Sequence, residues 1–248
     1  MDLLITSSVA LMITYIYSKN RVVGFLAWIT FAIACISRIP YFLSLKDYYN
    51  IAVFSLASVF FAIISYSILK KNSNTFVEVT SFSALACLVY FPFAFIEPLK
   101  AGIIDITANL TVKLGSLIGF AMRVEDSIIV MNGSNIKIIL ACTAIESISL
   151  FSGATLGINA DLNRRIKAFL VSVPVIYVLN LIRNVFVIIA TAYSLFGSNS
   201  FYIAHNIIAK VFSTIALIII AYEVFKILPE LADLIYSLKR EIIECLKS

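Results

Sequence analysis

The chain has 248 residues, of which 61% are hydrophobic and only 13% are charged. A soluble domain of this length is usually about half apolar and about a quarter charged. The composition therefore excludes an ordinary soluble protein and indicates one whose solvent is a lipid bilayer. The net charge of +5 comes without a dense basic stripe that carries interleaved aromatic residues, which argues against nucleic acid as a partner.

Seven apolar runs predict about seven transmembrane helices, since a spanning helix needs about 20 residues. The first two runs are short, so the count ranges from about six to about eight. The runs cover residues 3–18, 22–37, 50–69, 77–96, 141–159, 168–192 and 205–225. The expected fold class is an all-α integral membrane protein.

Basic residues predict the orientation, because Lys and Arg accumulate on the cytoplasmic side of membrane proteins. They fall in alternate connections between the seven runs, namely Lys19 and Arg21, Lys70 and Lys71, Arg164, Arg165 and Lys167, and Lys226 with the basic residues that follow it. The N-terminus is then predicted outside and the C-terminus inside. Residues 229–248 have amphipathic spacing and are expected on the inner membrane surface; a solvated helix is the alternative.

The outward side carries one long connection, residues 97–140, which precedes run five. Residues 101–122 have the apolar spacing of an amphipathic helix. Asn132-Gly133 then lies between two β-branched runs, which is a strong hairpin signal. The sequence thus predicts a small extracytoplasmic helix and a β-hairpin that leads directly to Cys142. Three segments follow from this layout: accessory helices (1–76), a membrane core (77–228) and a cytoplasmic tail (229–248).

Three polar residues are predicted at a similar depth near the outer ends of three helices. Arg183 lies inside run six, roughly 13 Å from its outer end at about 1.5 Å per residue. Cys142 stands at the outer end of run five, and His205, the only histidine, at the outer end of run seven. A charged residue inside a span is costly and normally faces protein or a water-filled cavity.

The chemistry of this trio is that of a thiol enzyme. A thiolate is a nucleophile that a nearby cation favours, a histidine moves protons, and an arginine stabilises an oxyanion or orients a carboxylate. Each residue also has a structural alternative. Cys142 could pack a core, His205 could cap a helix, and Arg183 could pair with Glu146.

Three motifs on successive helices resemble the exosortase/archaeosortase family of multi-pass membrane cysteine transpeptidases. They are Cys142-Thr143-Ala144-Ile145-Glu146-Ser147, Leu179-Asn180-Leu181-Ile182-Arg183-Asn184 and His205-Asn206. The resemblance covers roughly residues 80–225. Ala144 departs from the family pattern, which often has Gly at this position. The short length and the Ile/Lys/Asn-rich composition favour the archaeal branch.

The resemblance implies a function on the outer face of the cell membrane. Substrates would be surface proteins with a C-terminal signal made of a short motif, a transmembrane helix and a basic cluster. Cys142 would form a thioester with the substrate and pass it to an amine, with a membrane lipid as the expected acceptor. His205 would move protons and Arg183 would orient substrate or stabilise the oxyanion, with no cofactor.

Supporting roles fall to five neighbours of the trio. Asn180 and Asn184 are expected to hold Arg183, while Thr143 and Ser147 are expected to cap run five and satisfy its backbone. Glu146 is expected to pair with Arg183 or to line a water pocket. The alternative function is a non-enzymatic transporter or assembly scaffold, although a transporter should show inverted repeats and paired broken helices, which this sequence lacks. Oligomeric state cannot be read from the sequence.

Overall fold

A computed structural model of the chain describes residues 2–247, and its fold is almost entirely helical. The helices are α1 (Asp2–Ser18), α2 (Arg21–Ile36), α3 (Ile39–Ser44), α4 (Tyr48–Lys70), α5 (Asn74–Phe95), α6 (Glu97–Leu117), α7 (Ile145–Leu156), α8 (Leu162–Ala192), α9 (Ser200–Tyr202), α10 (Ala209–Ile227) and α11 (Pro229–Lys247). Three short strands separate α6 from α7: β1 (Arg123–Glu125), β2 (Ile128–Met131) and β3 (Ser134–Lys137).

In the described part of the chain, five helical segments are long and apolar enough to cross a membrane. They are Arg21–Ser44, Tyr48–Lys70, Asn74–Phe95, Leu162–Ala192 and Gly197–Ile227. The N-terminal helix is also apolar, over Leu3–Ser18, but it is shorter than these five segments. The prediction of an all-α integral membrane protein is confirmed.

The fifth predicted run, residues 141–159, differs from the others in length. It folds into α7, which has 12 residues and is about 18 Å long at 1.5 Å per residue, shorter than the roughly 30 Å hydrocarbon core. The helix starts late because Leu140–Cys142 form a 3₁₀ turn and Ala144 has a φ of 59°. Helix α8 instead begins earlier than predicted, because the Asp161 carboxylate caps it by accepting from the Asn163 and Arg164 amides.

The predicted hairpin is present and belongs to a three-stranded antiparallel sheet in the order β1-β2-β3. Met131 pairs with Ser134 across the turn, and Asn132 and Gly133 both have positive φ, 46° and 76°, as a type I′ turn requires. Strand β1 was not predicted. It joins β2 through Asp126 and Ser127, which also have positive φ.

The chain forms two compact units. The first contains Met1–Leu88, Leu156–Ala160 and Pro229–Ser248, and the second contains Val89–Thr155 and Asp161–Leu228. The division into accessory, core and tail segments at residues 76 and 228 is a functional one and stays a prediction.

In the first unit, polar side chains join the ends of several helices. Tyr15 donates to Asn72 at 2.7 Å, and the Asn72 amide donates to the Lys19 carbonyl at 2.5 Å. The buried Glu241 of α11 accepts hydrogen bonds from the hydroxyls of Ser73 and Thr75. The amphipathic helix α11 is therefore fixed to the α4–α5 connection through one of its faces.

The core of the second unit lies between α6, the sheet and α8. Its buried residues are Ala108, Met122, Ile129, Met131, Ile138, Val185 and Ile188. Alternate residues of β2 face this core, since Ile129 and Met131 are buried while Ile128 and Val130 are only half-buried. The sheet thereby positions the segment that follows β3, which carries Cys142.

Candidate functional site

Cys142 lies at the end of the 3₁₀ turn that connects β3 to α7. Its amide donates to the Ile139 carbonyl at 2.8 Å, while the preceding Ile138 is buried in the core and donates to Ser127 at 2.9 Å. The Cys142 side chain is half-buried and packs against the core of the second unit. The nucleophile candidate is thus held on a short, anchored turn between a strand and a helix.

Ala144 makes the sharp bend between this turn and α7. Its φ of 59° is left-handed, a conformation that costs an L-residue about 1–2 kcal/mol and that glycine adopts freely. Thr143 supports the bend, because its hydroxyl donates to the Leu140 carbonyl at 2.7 Å and accepts from the Ile145 amide at 3.4 Å.

Two asparagines of α8 bind the backbone of Cys142. The side-chain amides of Asn180 and Asn184 both donate to the Cys142 carbonyl oxygen, at 2.7 Å and 3.0 Å. They are four residues apart and therefore share one helical face. Their described hydrogen bonds thus go to Cys142, whereas the sequence had led us to expect bonds to Arg183. We refer to this pair as the asparagine clamp.

Arg183 lies on α8 between the two clamp residues and is half-buried. Its guanidinium is close enough to act electrostatically on the Cys142 thiol and on the His205 ring. A charge in a poorly solvated site acts more strongly than the same charge in water. No hydrogen bond in the described part of the chain joins Arg183 to Cys142 or to His205.

His205 lies in a π-helical segment, Ile203–Ile208, between α9 and α10. Such single-turn π segments often mark functional sites. The imidazole stacks on Phe201, with ring centroids 5.2 Å apart and an interplanar angle of 6°. This contact orients the His205 ring, which lies in the N-terminal part of the last membrane-spanning segment.

A cavity of about 310 Å³ opens beside the turn that carries Cys142, between α7, α8 and α10. Ala141 and Ala144, which flank Cys142, line it together with Ser147 and Asn180. It also contains three charged side chains: Glu146, Arg183 and Lys210. In the described residues, no ion pair within 4 Å joins any two of these three groups.

Sequence reasoning missed Lys210. It lies inside run seven, and a basic residue within an apolar span is the same signal that singled out Arg183. Of the predicted supporting residues, Glu146 and Ser147 line the cavity and Thr143 lies in the turn. Across residues 2–247, no group of three His, Cys, Asp or Glu side chains is arranged to hold a metal ion.

The fold defines a multi-pass helical membrane protein. A family model described as transmembrane exosortase matches residues 3–222, and the chain therefore belongs to the transmembrane exosortase family. It is similar to archaeosortase A of Haloferax volcanii, with 28% identity over 84% of this chain and 81% of that protein. It is also similar to archaeosortase A of Natronomonas pharaonis, with 26% identity over 61% of this chain and 58% of that protein. No solved structure matches the chain.

Proposed function

We propose that the protein is a membrane-embedded cysteine transpeptidase that cleaves the C-terminal sorting signals of surface proteins. Family membership supports a sorting transpeptidase in general. The observation that carries the cysteine mechanism is the asparagine clamp, which fixes the Cys142 backbone beside Arg183. A cysteine that only packs a core does not require two side-chain amides, one of them buried, on its backbone carbonyl.

The proposed reaction begins with attack of the Cys142 thiolate on the scissile carbonyl carbon. His205 takes the thiol proton and later gives a proton to the leaving amine, as a general base and acid. Arg183 stabilises the oxyanion of the tetrahedral intermediate. Collapse of this intermediate breaks the peptide C–N bond and leaves the substrate joined to Cys142 as a thioester. An amine of a membrane lipid then attacks the thioester and releases the thiol.

The active site is proposed to face the extracytoplasmic side, with the N-terminus outside and the C-terminus in the cytoplasm. Contacts within the first unit support this orientation. Asn72 joins the α4–α5 connection to the basic α1–α2 connection through Lys19, and Lys71 of the same connection pairs with Glu244 of α11 at 2.9 Å. Three basic segments therefore lie on one side, as the positive-inside rule requires.

Processing in cells tests the proposal. A substrate with its C-terminal signal is expressed with wild type, Cys142→Ala or Cys142→Ser, and its size is followed by blotting. We expect trimming by wild type and full-length substrate with both variants at equal expression. Cys35→Ser is the matched control, because Cys35 is also a half-buried free cysteine but lies in α2. Normal trimming by Cys142→Ala would instead favour a scaffold or transporter.

A further inference from the structure

The cavity beside Cys142 holds charges that the protein itself does not neutralise. Glu146 and Lys210 line it from α7 and α10, and both side chains are exposed to it or to the membrane. In the described part of the chain, neither makes an ion pair within 4 Å. Unpaired charges at membrane depth are costly and mark a ligand or ion site.

The charges in the cavity match a ligand that carries one negative and one positive group. Under the proposed function, Arg183 stabilises the oxyanion of the tetrahedral intermediate, which leaves one cation, Lys210, and one anion, Glu146, in the cavity. A zwitterionic group with an anionic and a cationic end satisfies both residues at once. The headgroup of an aminophospholipid has this pattern, with a phosphodiester for Lys210 and an ammonium for Glu146.

The rest of the cavity suits a lipid. Its walls beyond the charged residues combine uncharged polar side chains, among them Ser213 and Thr214, with apolar ones such as Leu217 and Ile220. Its volume of about 310 Å³ is at the lower end of the roughly 300–1,000 Å³ found for small-molecule sites. Ile215 and Ile218 of α10 are exposed and apolar, which suits a helix surface that faces lipid.

We propose that this cavity is the acceptor subsite, in which Lys210 binds the phosphodiester of an aminophospholipid and Glu146 binds its ammonium. This inference rests on the proposed function. Glu146 takes one proton from the ammonium, and the neutral amine attacks the thioester carbonyl carbon. The C–S bond breaks as the amide C–N bond forms. The second amine proton passes through His205 to the Cys142 sulfur, which returns to the thiol.

The first test measures how the thioester is resolved. Purified protein in vesicles with phosphatidylethanolamine is given substrate, and mass spectrometry compares lipid-attached with hydrolysed product. Lys210→Met and Glu146→Gln should lower the ratio of attached to hydrolysed product by about tenfold or more, as expected for loss of a charged hydrogen bond. Lys226→Met is the matched control, because Lys226 is also on α10 but pairs with Glu223 at 3.2 Å. An unchanged ratio in both cavity variants would overturn the subsite.

Three further outcomes have distinct meanings. If Lys210→Met instead weakens cleavage by raising the KM for the peptide while the product ratio stays constant, the cavity binds substrate and the lipid inference is wrong. If wild type cleaves nothing, or if cleavage persists in Cys142→Ala, the proposed function fails rather than the subsite alone. If phosphatidylcholine, whose quaternary ammonium has no proton to lose, gave equal lipid-attached product, the acceptor would not be an amine.

A binding measurement is independent of turnover. Native mass spectrometry of Cys142→Ser protein should show phosphatidylethanolamine retained in detergent, and adding Lys210→Met should reduce the retained fraction about tenfold. Competition by glycerophosphoethanolamine, which has the headgroup without chains, shows whether the headgroup alone supplies the binding. Equal retention with and without Lys210→Met would contradict the proposal.

Discussion

The asparagine clamp predicts that two side chains that bind the backbone of Cys142 control its activity. The changes are Asn180→Leu, Asn184→Leu and the double variant, since leucine is similar in size and donates no hydrogen bond. Each amide is within 3.0 Å of the Cys142 carbonyl, and this oxygen has two lone pairs to satisfy. The clamp therefore uses the full acceptor capacity of the Cys142 carbonyl oxygen.

The magnitude follows from the cost of losing these bonds. One net hydrogen bond contributes about 0.5–1.5 kcal/mol, while a buried acceptor left unsatisfied costs about 1–3 kcal/mol. Each single variant should lose about 2–5-fold in cleavage rate, because the other amide still holds the carbonyl. The double variant should lose about 100-fold, which is more than the sum of the single effects in free energy.

The assay combines the cleavage rate with the rate at which a maleimide alkylates Cys142. Both should change in the clamp variants, whereas a purely structural role would lower only the unfolding temperature. Asn109→Leu is the control, because the Asn109 amide donates within α6 to the Asp105 carbonyl. A folded double variant that cleaves within threefold of the wild-type rate would show that the clamp does not control the activity of Cys142.

Three other predictions concern stability and are measured by thermal unfolding in detergent. Ala144→Gly should stabilise the protein by up to about 1 kcal/mol, because relief of the left-handed strain exceeds the added chain entropy; a lower unfolding temperature would contradict the strain. Gly115→Val should destabilise it by about 1–3 kcal/mol, since a Cβ at Gly115 would lie 2.6 Å from the Met122 sulfur. Met122→Ala should cost less stability in the Gly115→Val background than in wild type, and equal costs would show that the clash lies elsewhere. The hydrogen bond between Lys71 and Glu244 lowers the pKa of Glu244 and raises the pKa of Lys71. This hydrogen bond makes a small contribution to stability, which is fully present between pH about 4.3 and about 10.4, the ordinary pKa values of Glu and Lys. This contribution is lost as pH falls through the lowered pKa of Glu244 or rises through the raised pKa of Lys71. In Glu244→Gln, the unfolding temperature should therefore fall less steeply as the pH is lowered.

Most of the fold could be predicted from the composition and from the local turn sequences. The apolar runs required a membrane solvent, and Asn132-Gly133 fixed a hairpin because few residue pairs accept two positive φ angles. The length of α7 was not predictable from hydropathy, because hydropathy does not reveal the left-handed backbone of Ala144 that delays the start of the helix. Strand β1 was missed for a similar reason, because Asp126-Ser127 is a weaker turn pair than Asn-Gly.

The common depth of the candidate site residues stays a prediction, whereas the hydrogen-bond partners of Asn180 and Asn184 differ from the expected ones. Counting residues along helices places Cys142, Arg183 and His205 near one level, but it cannot show which oxygen an asparagine amide faces. The partners of Asn180 and Asn184 depend on how the turn before α7 packs on α8. Lys210 is different, because its position in an apolar run was visible in the sequence.

The most direct test of the central claim is to trap the acyl-enzyme. Purified protein is mixed with a fluorescent substrate, quenched in acid, and measured by intact mass and peptide mapping. The account predicts a covalent substrate adduct on Cys142 that hydroxylamine removes, as it does a thioester, and no adduct in Cys142→Ala. Cleavage of the substrate without any adduct on Cys142, and equally fast in Cys142→Ala, would contradict it.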